Sequence, residues 1–170
     1  MESNKNIVLL GMMGSGKTTL GKIISKKLNR KFIDIDNEIE IKEGMKISDM
    51  FQKKGEDFFR KTEEKISLQF LKKTSSIISL GGGAFINKNI QNEVLRNQIS
   101  IWLKWDNKNL INRIKNSKKR PLAMQLNDND LDKLINKRSK IYAKAKFHIK
   151  CDKLSKEEII KKIINLYETN

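Results

Sequence analysis

Apolar positions along this chain fall into two spacings. Short runs occupy 6–10 (N-I-V-L-L), 32–35 (F-I-D-I), 76–80 (S-I-I-S-L), 99–104 (I-S-I-W-L-K) and 146–150 (K-F-H-I-K). They are too short for helices and predict strands. The first and third are continuous apolar runs, as in strands covered on both faces. Helical spacing fills the intervals, at 17–28, 36–43, 47–53, 56–73, 88–95, 107–116, 129–143 and 155–167. Within 56–73, Phe59, Ile66 and Phe70 share a face, and Ile159, Ile160, Ile163, Ile164 and Tyr167 form a core stripe in the last helix. Strands alternating with helices predict an α/β fold, a central five-stranded parallel sheet flanked by helices. Two segments lack periodicity. One is the glycine-containing joint 43–46. The other is 116–128 (N-S-K-K-R-P-L-A-M-Q-L-N-D), which holds the only proline and has the length of a lid or binding loop.

The 170 residues suit one domain, 1–170, with a core that needs no disulfide or metal. No apolar run is long enough for a membrane span or a signal peptide. A single cysteine, Cys151, excludes an internal disulfide, points to a cytoplasmic location and reads as a half-buried structural thiol. The net charge of +16 is the footprint expected of a nucleic-acid binder. The lysines are scattered, however, and no basic block is interleaved with aromatics, so no nucleic-acid partner is expected. That bias makes arginine informative. Only Arg30, Arg60, Arg96, Arg113, Arg120 and Arg138 break the preference for lysine, and a planar bidentate guanidinium is one reason to do so.

Chemistry enters at Gly11–Thr18, G-M-M-G-S-G-K-T, which fits G-x-x-x-x-G-K-[ST] between a predicted strand and a predicted helix. Gly14, Ser15, Gly16, Lys17, Thr18 and Thr19 are the ATP-binding candidates. The glycines let backbone N–H groups turn toward phosphate at the positive end of the helix. Lys17 is expected to reach the β- and γ-phosphates, and the Thr18 hydroxyl to hold Mg²⁺. Further on, Asp34 and Asp36 stand two apart at the end of the second strand, hence on one side of an extended chain. Asp34, an ionised group in a strand, calls for a partner such as Mg²⁺. Asp36 has a lesser alternative as the N-cap of the following helix, 37–43. Gly81-Gly82-Gly83 ends the third strand where a Walker-B aspartate often stands, and is either a plain turn or a close approach of backbone to ligand.

Taken in order, G-M-M-G-S-G-K-T, F-I-D-I-D, I-S-D-M-F-x-x-x-G-E-D-F-F-R-x-x-E, G-G-G, R-P-L and R-S-K-I-Y resemble a shikimate kinase along nearly the whole chain. The 55–63 stretch is the most diagnostic. The resemblance implies the nucleoside-monophosphate-kinase-like P-loop fold, with an acceptor-binding segment at about 36–62 and a lid at about 116–128. It implies transfer of the ATP γ-phosphoryl group to the 3-hydroxyl of shikimate, with Lys17, Asp36 and Arg120 catalytic. Asp36 is expected to bind the ring hydroxyls, Arg60 and Arg138 to grip the carboxylate, Gly82 to add backbone contact and Glu63 to hold the arginines. Asp34 would join Thr18 at Mg²⁺, Arg120 would swing onto the phosphates and Arg113 would stack on adenine. Phe51 and Phe59 would supply apolar walls, while Leu80, His148, Trp102 and Trp105 take no part. The expected partners are ATP and shikimate, and a monomer is expected. Rivals are a gluconate or nucleoside-monophosphate kinase of the same architecture, and a basic NTP-dependent nucleic-acid module.

Overall fold

The computed structural model describes residues 4–116 and 126–170. Five strands, β1 (Ile7–Leu10), β2 (Lys31–Asp34), β3 (Ser76–Ser79), β4 (Ile99–Lys104) and β5 (Phe147–Lys150), form one sheet in the order β2-β3-β1-β4-β5. Every pairing is parallel, with Val8 opposite Ile78 on one side and Ser100 on the other. The helices are α1 (Lys17–Lys27), α2 (Ile35–Glu43), α3 (Ile47–Leu71), α4 (Lys88–Asn97), α5 (Asn107–Lys115), α6 (Asp128–Tyr142) and α7 (Lys156–Glu168).

Two apolar layers sandwich the sheet, and alternate strand residues feed opposite layers. Val8, Leu10, Ile78 and Trp102 pack with Ile39, Phe59, Ile66, Ile90, Leu110 and Ile135 from α2 to α6. Ile7, Leu9, Ile77, Ile101 and Leu103 pack with Leu20 and Ile24 of α1 and Ile159, Ile160 and Ile163 of α7. Both faces are therefore dry, which accounts for the continuous apolar runs of β1 and β3. Cys151 lies in the second layer and is fully buried rather than half-buried.

Two local features place the functional side chains. First, β2 stops at Asp34 rather than at residue 35, because the Asp34 carboxylate accepts from the Asn37 N–H at 3.4 Å and caps α2. Asp34, not Asp36, is thus the N-cap. Asp36 sits in the first helical turn, so the pair does not share one side of an extended chain. Second, α3 is broken at Gly55 (φ 81°, ψ 168°), in the gap between the expected helices 47–53 and 56–73. The second half carries Arg60 and Glu63 toward the end of β3.

Candidate active site

The loop from β1 to α1 turns on Gly11, Gly14 and Gly16, with φ of 143°, 84° and 95°. Its N–H groups and the N-terminus of α1, whose first turn holds no acidic residue, make an anion site. Lys17 is buried and folds back over the loop, donating from Nζ to the carbonyls of Gly11 (2.8 Å) and Met12 (3.0 Å). The Ser15 N–H closes the turn on the Met12 carbonyl at 3.1 Å. Thr19 is exposed on the first turn of α1. The Thr18 hydroxyl donates to Asp34 Oδ2 at 2.6 Å, which brings two hard oxygen donors together beside the loop. No cluster of three or more His, Cys, Asp or Glu occurs among the described residues. The donor set suits Mg²⁺, which takes few protein ligands and completes its shell with phosphate and water.

Two side chains from the far side also grip the loop. Arg113 donates from Nε to the Gly14 carbonyl at 2.8 Å, and Trp105 from Nε1 to the Ser15 carbonyl at 3.0 Å. The Arg113 guanidinium lies 4.2 Å from the Trp105 ring centroid.

Across the loop, the Gly81–Gly83 turn is where the charged candidates meet. A Cβ on Gly81 would stand 2.7 Å from Asp36 Oδ1 and 2.8 Å from Glu63 Oε1. One on Gly83 would stand 2.7 Å from Arg60 Nη1, and one on Gly82 3.5 Å from Arg138 Nη1 and 3.3 Å from the Met13 nitrogen. The turn is a close approach of backbone to the protein's own charged side chains: a Cβ on Gly81 or Gly83 would displace Asp36, Glu63 and Arg60, whereas one on Gly82 would only touch Arg138.

Within this cluster Glu63 is 2 % exposed and accepts from Arg60 Nη1 at 2.7 Å. Burial pushes the Glu63 carboxyl above its ordinary value, against the pull of Arg60, and neighbouring Asp36 adds to the rise. Arg60 also meets Glu56 at 3.2 Å, and despite its partial burial the two carboxylates hold its pKa above the usual value. Arg138 approaches Met12 Sδ at 3.7 Å through Nη1, while its buried Nε has no hydrogen-bond partner among the described residues. Tyr142, one turn beyond Arg138 on α6, donates its hydroxyl to the Gly82 carbonyl. Burial raises its pKa to about 12, so the hydroxyl stays neutral. The Phe51 and Phe59 rings meet at 4.7 Å between centroids, tilted by 37°, with Phe59 buried and Phe51 partly so.

Asp36, Glu63, Arg60, Gly82 and Arg138 therefore converge, as do Lys17, Thr18 and Asp34 at the loop. Arg120 and the R-P-L motif lie outside the described residues. Leu80 points into the core, and His148, exposed on the edge strand, contacts Trp102 edge-on at 5.3 Å. Trp105 and Tyr142 are the residues that the sequence reading missed. The available signal for Tyr142 was its spacing four residues after Arg138 on one helix, which puts both on one face.

A phosphate loop facing a pocket of paired arginines and carboxylates, at the carboxyl ends of a sheet of this order, defines a small-molecule kinase of the P-loop class. Comparison with known proteins narrows the class. The family model described as shikimate kinase matches residues 13–168. The chain is 41 % identical over 160 residues to the shikimate kinase of Sulfurihydrogenibium sp., covering 94 % of this chain and 96 % of that protein. It is 42 % identical over 164 residues to that of Bacillus subtilis, covering 94 % and 87 %. The solved structure of shikimate kinase from Acinetobacter baumannii in complex with shikimate superposes with a TM-score of 0.91 at 30 % identity, over 99 % of this chain and 96 % of that one. A gluconokinase from Sinorhizobium meliloti shares the fold alone, with a TM-score of 0.61 and 13 % identity. The chain belongs to the shikimate kinase family.

Proposed function

We propose that this chain moves the γ-phosphoryl group of ATP to the 3-hydroxyl of shikimate, giving shikimate 3-phosphate for the route to chorismate and aromatic amino acids. The observation that carries the reading is the set of four charged side chains, Asp36, Arg60, Glu63 and Arg138, packed around Gly81–Gly83 beside the phosphate loop. An acceptor with a carboxylate and ring hydroxyls satisfies that set. The acceptor carboxylate meets the guanidinium forks of Arg60 and Arg138, with Glu63 fixing Arg60, and the Gly82 backbone adds a contact. Asp36 accepts from the attacking hydroxyl and orients its lone pair. The hydroxyl oxygen then bonds the γ-phosphorus as the bond to the β,γ-bridging oxygen breaks, its proton leaves to solvent by way of the Asp36 carboxylate, and ADP departs with the bridging oxygen.

Such transfers ask for positioning and charge neutralisation more than covalent help. Lys17 supplies positive charge from the loop, and Gly14, Ser15, Gly16, Thr18 and Thr19 line the phosphates. Arg113 offers a face to adenine, and Arg120 is assigned to the phosphates. Thr18 and Asp34 would hold Mg²⁺, which offsets phosphate charge when bound. The chain works as one domain, 1–170, with acceptor segment 36–62 and lid 116–128, as a cytoplasmic monomer with no nucleic-acid partner. No helix among the described residues is long and apolar enough to cross a membrane.

A coupled assay of ADP release with shikimate, gluconate, AMP and CMP tests the assignment. Turnover is expected with shikimate alone, and turnover only with a nucleotide acceptor would overturn it.

A further inference from the structure

Trp105 belongs to no motif of the chain, yet it touches the phosphate loop directly. It leaves the end of β4 half-buried, and its indole N–H donates to the Ser15 carbonyl at 3.0 Å. On its ring, 4.2 Å from the centroid, rests the Arg113 guanidinium, whose Nε donates to the adjacent Gly14 carbonyl at 2.8 Å. Two consecutive carbonyls of the loop are thus held from the α5 side. In a trans peptide C=O and N–H point in opposite directions. Fixing the Gly14 carbonyl therefore aims the Ser15 N–H at Met12, where a 3.1 Å bond closes the turn, and fixing the Ser15 carbonyl aims the Gly16 N–H away from α5. A loop with glycines at 11, 14 and 16, all at positive φ, has more backbone freedom to lose than most, so outside anchors set its shape before phosphate arrives.

The same contact shapes the base site. One face of the Arg113 guanidinium is covered by the indole, and the side chain is otherwise exposed, which leaves a planar cationic surface beside the loop. Guanidinium planes stack on aromatic rings, and a purine is such a ring.

We propose that Trp105 is a positioning residue for the nucleotide, anchoring the Ser15 carbonyl of the phosphate loop and backing Arg113 as a layer beneath the base. The inference rests on the kinase reading above and concerns only its donor half. Trp105→Phe keeps a ring under Arg113 and removes the indole N–H. It is expected to raise the KM for ATP roughly five-fold, as loss of one such hydrogen bond does, with the KM for shikimate within about two-fold. Trp105→Leu, which removes the ring as well, is expected to raise it further.

A second measurement needs no variant to fold. The chain has two tryptophans, Trp102 in the core and Trp105 at the loop, so fluorine NMR of 5-fluorotryptophan-labelled protein gives one resonance for each. Mg-ADP is expected to shift the Trp105 resonance and leave that of Trp102 in place, with whichever of Trp105→Phe and Trp102→Phe folds supplying the assignment. Calorimetry of the same sample with Mg-ADP separates the two ways to fail. Nucleotide binding with neither resonance moving, or an unchanged ATP KM in Trp105→Phe, overturns the role of Trp105 while the kinase reading stands. No nucleotide binding by the wild-type chain overturns both.

Discussion

Tyr142 ties the Gly81–Gly83 turn to α6 through one hydroxyl, donated to the Gly82 carbonyl and 3.9 Å from Met12 Sδ. Removing it in Tyr142→Phe leaves a carbonyl short of its partner inside the protein, at a cost of about 1–3 kcal/mol of stability. The same loop presents Gly82 and faces Arg138, so the KM for shikimate is expected to rise several-fold while the KM for ATP holds. The phenol also gives a pH signature. Burial raises its folded-state pKa to about 12 from an ordinary value of 10.0, so the folded chain keeps the proton where the unfolded chain has lost it. Its contribution to stability is complete below pH 10 and declines as the pH climbs toward 12. Urea titrations across that range are expected to show wild type losing more stability than Tyr142→Phe. An equal decline in the two proteins would contradict the buried, neutral phenol. Tyr142 and Trp105 escaped the sequence reading for one physical reason: an aromatic ring reads as core, and both polar tips bond to backbone carbonyls, which carry no side-chain signature. Asp36, Arg60, Glu63 and Arg138 came to notice through the family resemblance, whose motifs carry them at fixed spacing.

At the scale of elements, the break in α3 decides where Arg60 and Glu63 stand. Gly55, at φ 81° and ψ 168°, occupies a region that is almost restricted to glycine, and a Cβ there would meet nothing within 4 Å. A substitution is therefore penalised by backbone strain alone. Gly55→Ala is expected to cost roughly 1–3 kcal/mol. Gly44→Ala, at the milder left-handed end of α2 (φ 64°, ψ 21°), with a Cβ equally free of neighbours, should cost less. Denaturant midpoints of the two variants test the order, and a Gly55→Ala protein as stable as wild type would remove the kink as a constraint. The break was readable as a gap between helical stretches. The end of β2 was not, since F-I-D-I continues the apolar spacing through Ile35 and only the bond from the Asn37 N–H to Asp34 reveals that α2 has begun. Strand existence and order of layers follow from apolar runs, whereas boundaries rest on single hydrogen bonds that no periodicity encodes.

Across the whole molecule, β1 lies between β3 and β4, so its phosphate loop stands where the sheet's connections diverge. Elements on the β2–β3 side deliver Asp36, Arg60, Glu63 and the glycine turn, and the β4–α5 side delivers Trp105 and Arg113 to the opposite flank of the loop. Arg138, on α6, reaches the glycine-turn flank, with Nη1 near Met12 and with Gly82 beside it. This division predicts separable kinetics. Arg138→Lys retains the charge but loses the planar fork that a carboxylate engages, and bonds between charged groups of this kind are worth about a factor of ten or more in affinity. The KM for shikimate is expected to rise by about ten-fold or more and the KM for ATP by no more than about two-fold. The net charge of +16 attracts both anionic substrates at long range, and salt screens that attraction for both, so the comparison belongs at one fixed ionic strength. Under that condition a loss shared equally by the two substrates would mean that Arg138 acts on the phosphate loop through Met12, and the carboxylate would need another holder.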